Sequence, residues 1–242
     1  MQYLSKEMIE IIGEGVLADF RKTEVKAGHG IDIEALAGRY LGLRQVDMKL
    51  SDRGTLLGLT TFGGIEVDLY LGGETKTVRL PRDTILLEEA MLKDGKPGRR
   101  RFTIAHECGH QILYRTEEKK TGVSIRARFA PGQAYSCRDL MRVSDWYEWQ
   151  ANAMAAVLLM PKDLIAFVVD LFHGGGKFKC FGHFGLEPAD RRCVCAMAEH
   201  IGVSLSAMMI RLRGLGYIEP RPAEGYKHNP IDIYMTAEDI SK

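Results

Sequence analysis

The 242-residue sequence contains no uninterrupted apolar run long enough to cross a bilayer, which argues against an integral membrane protein. Residues 1–20 carry acids where a secretory leader would be continuously apolar, so a cytoplasmic location is expected. Cysteine is sparse and odd in number, at five, which leaves no basis for a disulfide framework. An excess of one charge sign is also missing. Lys plus Arg total 33 against 32 for Asp plus Glu, whereas binding along a phosphate backbone needs a clear basic surplus. Internal repeats and low-complexity tracts are absent, apart from the short Gly174-Gly175-Gly176 patch. What remains is ordinary globular material: 45% hydrophobic and 27% charged residues, enough for one large domain or a main domain with a small appendage.

The pattern along the chain predicts an α+β fold. Ser5 is placed to cap a first amphipathic helix in which Ile9, Ile12, Val16 and Phe20 recur at helical spacing, with Gly13 and Gly15 weakening it. A short helix is expected over 32–40. The period then changes. Segments 57–62, 65–71 and 76–80 are separated by Gly63-Gly64 and Gly72-Gly73, and Ile65, Val67, Leu69 and Leu71 alternate with Glu66, Asp68 and Tyr70. With 84–87 as a further strand, these segments predict a small meandering sheet. From residue 100 the chain turns helical, most clearly over 101–114, 145–160 and 162–172, with two more helices near 188–201 and 204–213. The division into domains is drawn as 1–172 and 173–242, the second a helical segment with a tail.

The most informative residues are His106-Glu107-Cys108-Gly109-His110. On a helix the two histidines lie four apart, leave one face, and can hold a single ion. Glu107 follows the first ligand, where its carboxylate can reach a water beside the metal and act as the catalytic acid and base. A catalytic zinc site usually has three protein ligands and one open position, so a third donor is needed. Glu148 is the candidate. It opens an otherwise apolar or small-residue helix running to Leu159-Met160-Pro161, where a carboxylate is costly unless paired or bound to metal. The alternative for Glu148 is an exposed first-turn acid favoured by the helix dipole. Asn152, one turn on, is placed to accept from the free ring nitrogen of a ligating histidine. The cofactor this donor set calls for is one catalytic Zn2+.

Two stretches together resemble a known family. Arg100-Arg101-Phe102-Thr103-Ile104-Ala105-His106-Glu107-Cys108-Gly109-His110, followed by Glu148-x-x-Ala151-Asn152-x-x-Ala155-x-x-Leu158-Leu159-Met160-Pro161, is similar to the ImmA/IrrE metallopeptidases. The likeness spans roughly residues 5–215 and includes a Val203-Ser204-x-x-Ala207-x-x-x-Arg211-Leu212 segment. Met154 stands where the family commonly has phenylalanine, an exchange between apolar core residues. The resemblance implies a zincin-like domain with its motif on the active-site helix, zinc on His106, His110 and Glu148, and Glu107 as catalytic acid. It further implies a partner: a protein substrate of the helix-turn-helix repressor type, from a mobile element or a stress response. The alternative is a non-catalytic regulator that uses the same metal-binding core to sense zinc or to bind a repressor or DNA.

Other features carry less. Cys137 lies between the metal-binding helices and could approach zinc as a thiolate, although a free cysteine is more often a small buried hydrophobe. Cys180, His183, Cys193 and Cys195 invite a second zinc site, but cysteines two apart on a helix point to different faces. The basic loop after Arg115 reads as solvated charge. Residues 201–212 have a helix-turn-helix look that common helix packing also produces, so DNA binding is possible but not favoured. No residue stands out as the oxyanion donor; Tyr135 and Tyr147 read as ordinary surface or core tyrosines.

Overall fold

The first helix starts where Ser5 can cap it: Ser5 Oγ accepts from Met8 N at 3.2 Å, and α1 runs over Lys6–Thr23. Its fully buried stripe is Ile9, Gly13, Leu17 and Phe20, one step round from the expected face, with Ile12 and Val16 half-buried beside it. Gly13 is part of that contact rather than a weakness. A Cβ there would lie 2.6 Å from Val157 Cγ1. The computed structural model describes residues 4–23, 30–51, 56–93, 95, 97–116, 134–136, 145–182 and 185–226.

Asp32 caps a three-residue helix, α2 (Ile33–Ala35), by accepting from Ala35 N at 2.9 Å, and the chain continues as a wider π turn over Leu36–Tyr40. Ile33, Leu36 and Ala37 are buried as expected. The strands that follow do not form one meander. β1 (Arg44–Met48), β2 (Gly58–Thr61) and β5 (Thr84–Glu88) make one three-stranded sheet in the order β1-β5-β2. β1 runs parallel and β2 antiparallel to the central β5. β3 (Ile65–Leu71) and β4 (Glu74–Leu80) form a hairpin in a second sheet, where the short β6 (Ala134–Ser136) pairs with β3.

The reason for the split is burial. All five residues of β5 are buried, and a strand covered on both faces belongs at the centre of a sheet rather than at the end of a meander. Gly72 and Gly73 both take positive φ, as a two-residue hairpin turn requires. Leu50, Leu69, Leu80 and Leu86 pack together between these strands. Glu88 is buried at the end of β5 and accepts from Leu50 N and Ser51 N at 2.9 and 3.1 Å, tying the loop after β1 to the sheet.

Two longer helices complete this part of the molecule: α3 (Pro97–Arg115) and α4 (Asp145–Leu159). They pack tightly at Gly109, where an added Cβ would come within 2.9 Å of Ala151 O and 3.2 Å of Met154 Cβ. Ala151, Met154, Ala155 and Leu158 are fully buried. Met154 therefore occupies the core position expected of it.

The chain divides into two compact units, Met1–Leu159 and Met160–Lys242. The expected boundary after residue 172 places the helix over 162–172 in the first domain, whereas that helix, α5 (Lys162–His173), lies in the second unit. There it precedes α6 (Pro188–Ile201) and α7 (Leu205–Gly214), together with a small sheet of β7 (Phe178–Phe181), β8 (Gly185–Leu186) and β9 (Ile218–Arg221) in the order β8-β7-β9. Gly202, in the left-handed region at φ 76°, ends α6, and Ser204 Oγ caps α7 by accepting from Ala207 N at 3.1 Å. The buried Arg211 donates through Nε to Met160 O at 2.7 Å. The architecture is α+β. No single helix among the described residues is long and apolar enough to cross a membrane.

Candidate metal centre

The His106 and His110 side chains leave α3 one turn apart and meet Glu148 from the first turn of α4. His106 Nε2 lies 3.0 Å from Glu148 Oε2, His110 Nε2 lies 3.4 Å from Glu148 Oε1, and the two Nε2 atoms are 3.1 Å apart. The rings stand almost perpendicular, at 86°. Among the described residues this is the one cluster of His, Cys, Asp and Glu side chains whose donor atoms converge on a point.

The donor set fits a metal ion. Two imidazoles and a carboxylate at bond lengths of about 2.0–2.1 Å around a tetrahedral centre require donor separations of about 3.3 Å. The observed separations lie near that figure, with the two histidines facing different oxygens of the Glu148 carboxylate. The proton pattern fits as well. Asn152 Oδ1 lies 3.0 Å from His106 Nδ1, so Nδ1 donates to Asn152 and Nε2 is the ring nitrogen that faces the cluster.

Electrostatics sharpen the arrangement. Hydrogen bonds from His106 and His110 hold the Glu148 carboxyl well below the usual carboxylate range, outweighing its partial burial. Burial works against a charged His106 ring, but the Glu148 hydrogen bond and the charges of Glu107 and Glu148 raise its pKa above the ordinary imidazole value. Glu107 is only 5% exposed, and burial pushes its carboxyl up despite the opposing pull of His110 and His106. A buried carboxyl raised in this way is of the kind that takes up and releases protons.

Glu107 sits under β2. A Cβ at Gly58 would fall 2.7 Å from Glu107 Oε1 and 2.6 Å from Thr103 Cγ2, so only glycine fits above the carboxylate without displacement. Thr103, Glu107 and Gln111 are spaced four apart and all buried, forming a polar stripe along α3 separate from the histidine face. Gln111 Nε2 donates to Thr60 Oγ1 at 2.7 Å and to Thr61 O at 2.9 Å. Gly58, Thr60 and Gln111 were not singled out from the sequence. The i, i+4, i+8 spacing of Thr103, Glu107 and Gln111 was the available signal, masked because Gln111 reads as an uncharged flank.

The remaining candidates fare differently. Cys108 is fully buried, and burial pushes its thiol far up, which makes it packing rather than chemistry. Cys137 and His183 lie outside the described residues. Cys180 is buried in β7, and neither it nor Cys193 nor Cys195 joins a metal-binding group among the described residues. Tyr135 lies in β6 with its backbone paired to Val67, and Tyr147 lies in α4 beside Glu148. Comparison with known protein families and with curated proteins finds no match to this chain.

Proposed function

We propose that the chain is a zinc-dependent endopeptidase of the zincin type, as its likeness to the ImmA/IrrE metallopeptidases implies, acting on a helix-turn-helix repressor. The observation that carries this reading is the pairing of a three-donor cluster, His106, His110 and Glu148, with a buried carboxylate on the intervening residue. Metal binding alone has no need of Glu107. Its burial between the ligands and a strand is costly, and that cost is explained if the group handles protons.

Zinc held by His106, His110 and Glu148 would polarise a peptide carbonyl and make a water more acidic. Glu107 takes the proton of the attacking water on its carboxylate and returns it to the leaving amine. Asn152 accepts from Nδ1 of His106, which leaves Nε2 as the nitrogen that would bind the metal. Gly58 of β2 closes over the buried Glu107 carboxylate, which leaves little room for water there.

The experiment that tests this is digestion of a proteome-derived peptide library, read by mass spectrometry, with zinc-loaded wild type and Glu107→Gln. The expected result is cleavage by the wild type and a loss of about 10²–10⁴-fold in the variant, with metal retained. Full retention of activity or biological effect in Glu107→Gln would favour the non-catalytic regulator.

A DNA-binding reading has one observation behind it. α6 and α7 are bent by 104° across a short break, within the range of helix-turn-helix pairs. Against it, Arg211 on α7 turns inward to Met160 O, and Arg213 is the exposed cation of that helix. A salt-dependent mobility shift with duplex DNA would support it.

A further inference from the structure

Gln111 is fully buried, yet its Oε1 has no hydrogen-bond partner among the described residues. An apolar side chain at this position would avoid that cost, as Cys108 and Ile112 do on the same helix. What the amide achieves is specific. Through Nε2 it grips β2 twice, at the Thr60 hydroxyl and the Thr61 carbonyl, one residue after a metal ligand.

Among the described residues, the strand it grips is an edge strand. β2 is last in the order β1-β5-β2, and no other strand among the described residues pairs with its outer side. Glu88 N donates to Leu57 O at 2.9 Å, and the antiparallel register pairs Gly58 with Leu87 and Thr60 with Ile85. Alternation along such a ladder turns Leu57, Leu59 and Thr61 toward β5. The main-chain N–H and C=O of Gly58 and Thr60 therefore point away from the sheet. Gly58 is also the residue that presses on the Glu107 carboxylate.

We infer that Gln111 is a positioning residue: its amide holds β2 at a fixed height over Glu107, so that the outward groups of Gly58 and Thr60 line up an extended peptide with the metal centre. This rests on the peptidase reading above, in which the peptide lies along the edge strand, and adds to it the side chain that fixes that strand. Gln111 touches neither peptide nor metal in this account. It acts through the strand.

The test uses the full chain loaded with zinc and two probes, acetohydroxamate, which engages the metal alone, and a dipeptidyl hydroxamate, which adds an extended backbone. The variants are Gln111→Met, which keeps the length of the side chain, and Thr60→Val, which removes one of the two hydrogen bonds. Thermal stability and zinc affinity are measured alongside. The expected result is a dipeptidyl hydroxamate bound about tenfold more weakly by both variants, the equivalent of one lost hydrogen bond, with acetohydroxamate and zinc unchanged and Gln111→Met no less stable than wild type. An unchanged ratio between the two probes overturns the inference, as does a parallel loss of both with reduced stability, which a purely structural role would give. A wild type that fails to bind zinc, or that holds the dipeptidyl compound no better than acetohydroxamate, overturns the peptidase reading itself.

Discussion

Asn152 Oδ1 lies 3.0 Å from His106 Nδ1, while Nε2 of the same ring lies 3.0 Å from Glu148 Oε2. One amide on α4 thus orients a histidine on α3 toward a carboxylate one turn earlier on its own helix. Removing that acceptor frees the ring to rotate and to change tautomer. Asn152→Ala should weaken zinc binding by about 10–100-fold, and Asn152→Asp, which keeps an acceptor, should stay near wild type. Competition against a chromophoric chelator measures both.

The metal-free protein should show a pH signature of the same cluster. His106 has a raised pKa, so its contribution to stability is complete below the ordinary imidazole value of 6.5 and is lost as pH rises through the folded value. Glu148 has a depressed pKa, so its contribution is present above the ordinary 4.5 and is lost as pH falls through the folded value. The pair therefore supports the fold most between those two values. The melting temperature of zinc-free wild type minus that of Glu148→Gln should peak in that window and shrink on either side. The difference should be small, because the Glu148 side chain is 47% exposed. A difference that is flat with pH would contradict the assignment.

Gly109 offers a prediction in which two effects have opposite signs. Helix propensity alone makes Gly109→Ala stabilising by about 1 kcal/mol. Packing makes it destabilising, because the new Cβ would lie 2.9 Å from Ala151 O, a backbone atom that cannot rotate away. Overpacking of this kind costs about 1–3 kcal/mol, so a net loss is expected. Urea denaturation of the metal-free protein decides the sign. Gly58→Ala should be destabilising by a similar mechanism and should also move β2 away from Glu107.

These glycines show what the sequence makes legible. Helix boundaries over Lys6–Thr23, Pro97–Arg115, Asp145–Leu159 and Lys162–His173 fall within a few residues of their expected places, because periodicity and local capping fix them. His106, His110, Glu148 and Asn152 are brought together as their types and spacing suggested. Non-local pairing was out of reach. β1, with Arg44, Gln45 and Asp47 around Val46, has little strand pattern of its own and exists because β5 lies beside it. The four-residue β7 and two-residue β8 are too short to show a period. Gly13 reads as a helix weakness because the helix it accommodates is far away in sequence, and the close contact at Gly109 is hidden for the same reason. Gln111 was missed for the same reason, since its partners are on β2.

The most direct test of the central claim is the metal content per chain, by elemental analysis, of wild type, Glu107→Gln, His110→Ala and Glu148→Ala. The account predicts about one zinc in the first two and loss of metal in the last two, because removing one of three protein ligands leaves too few to hold the ion. No bound metal in the wild type, or metal unaffected by His110→Ala and Glu148→Ala, would contradict it.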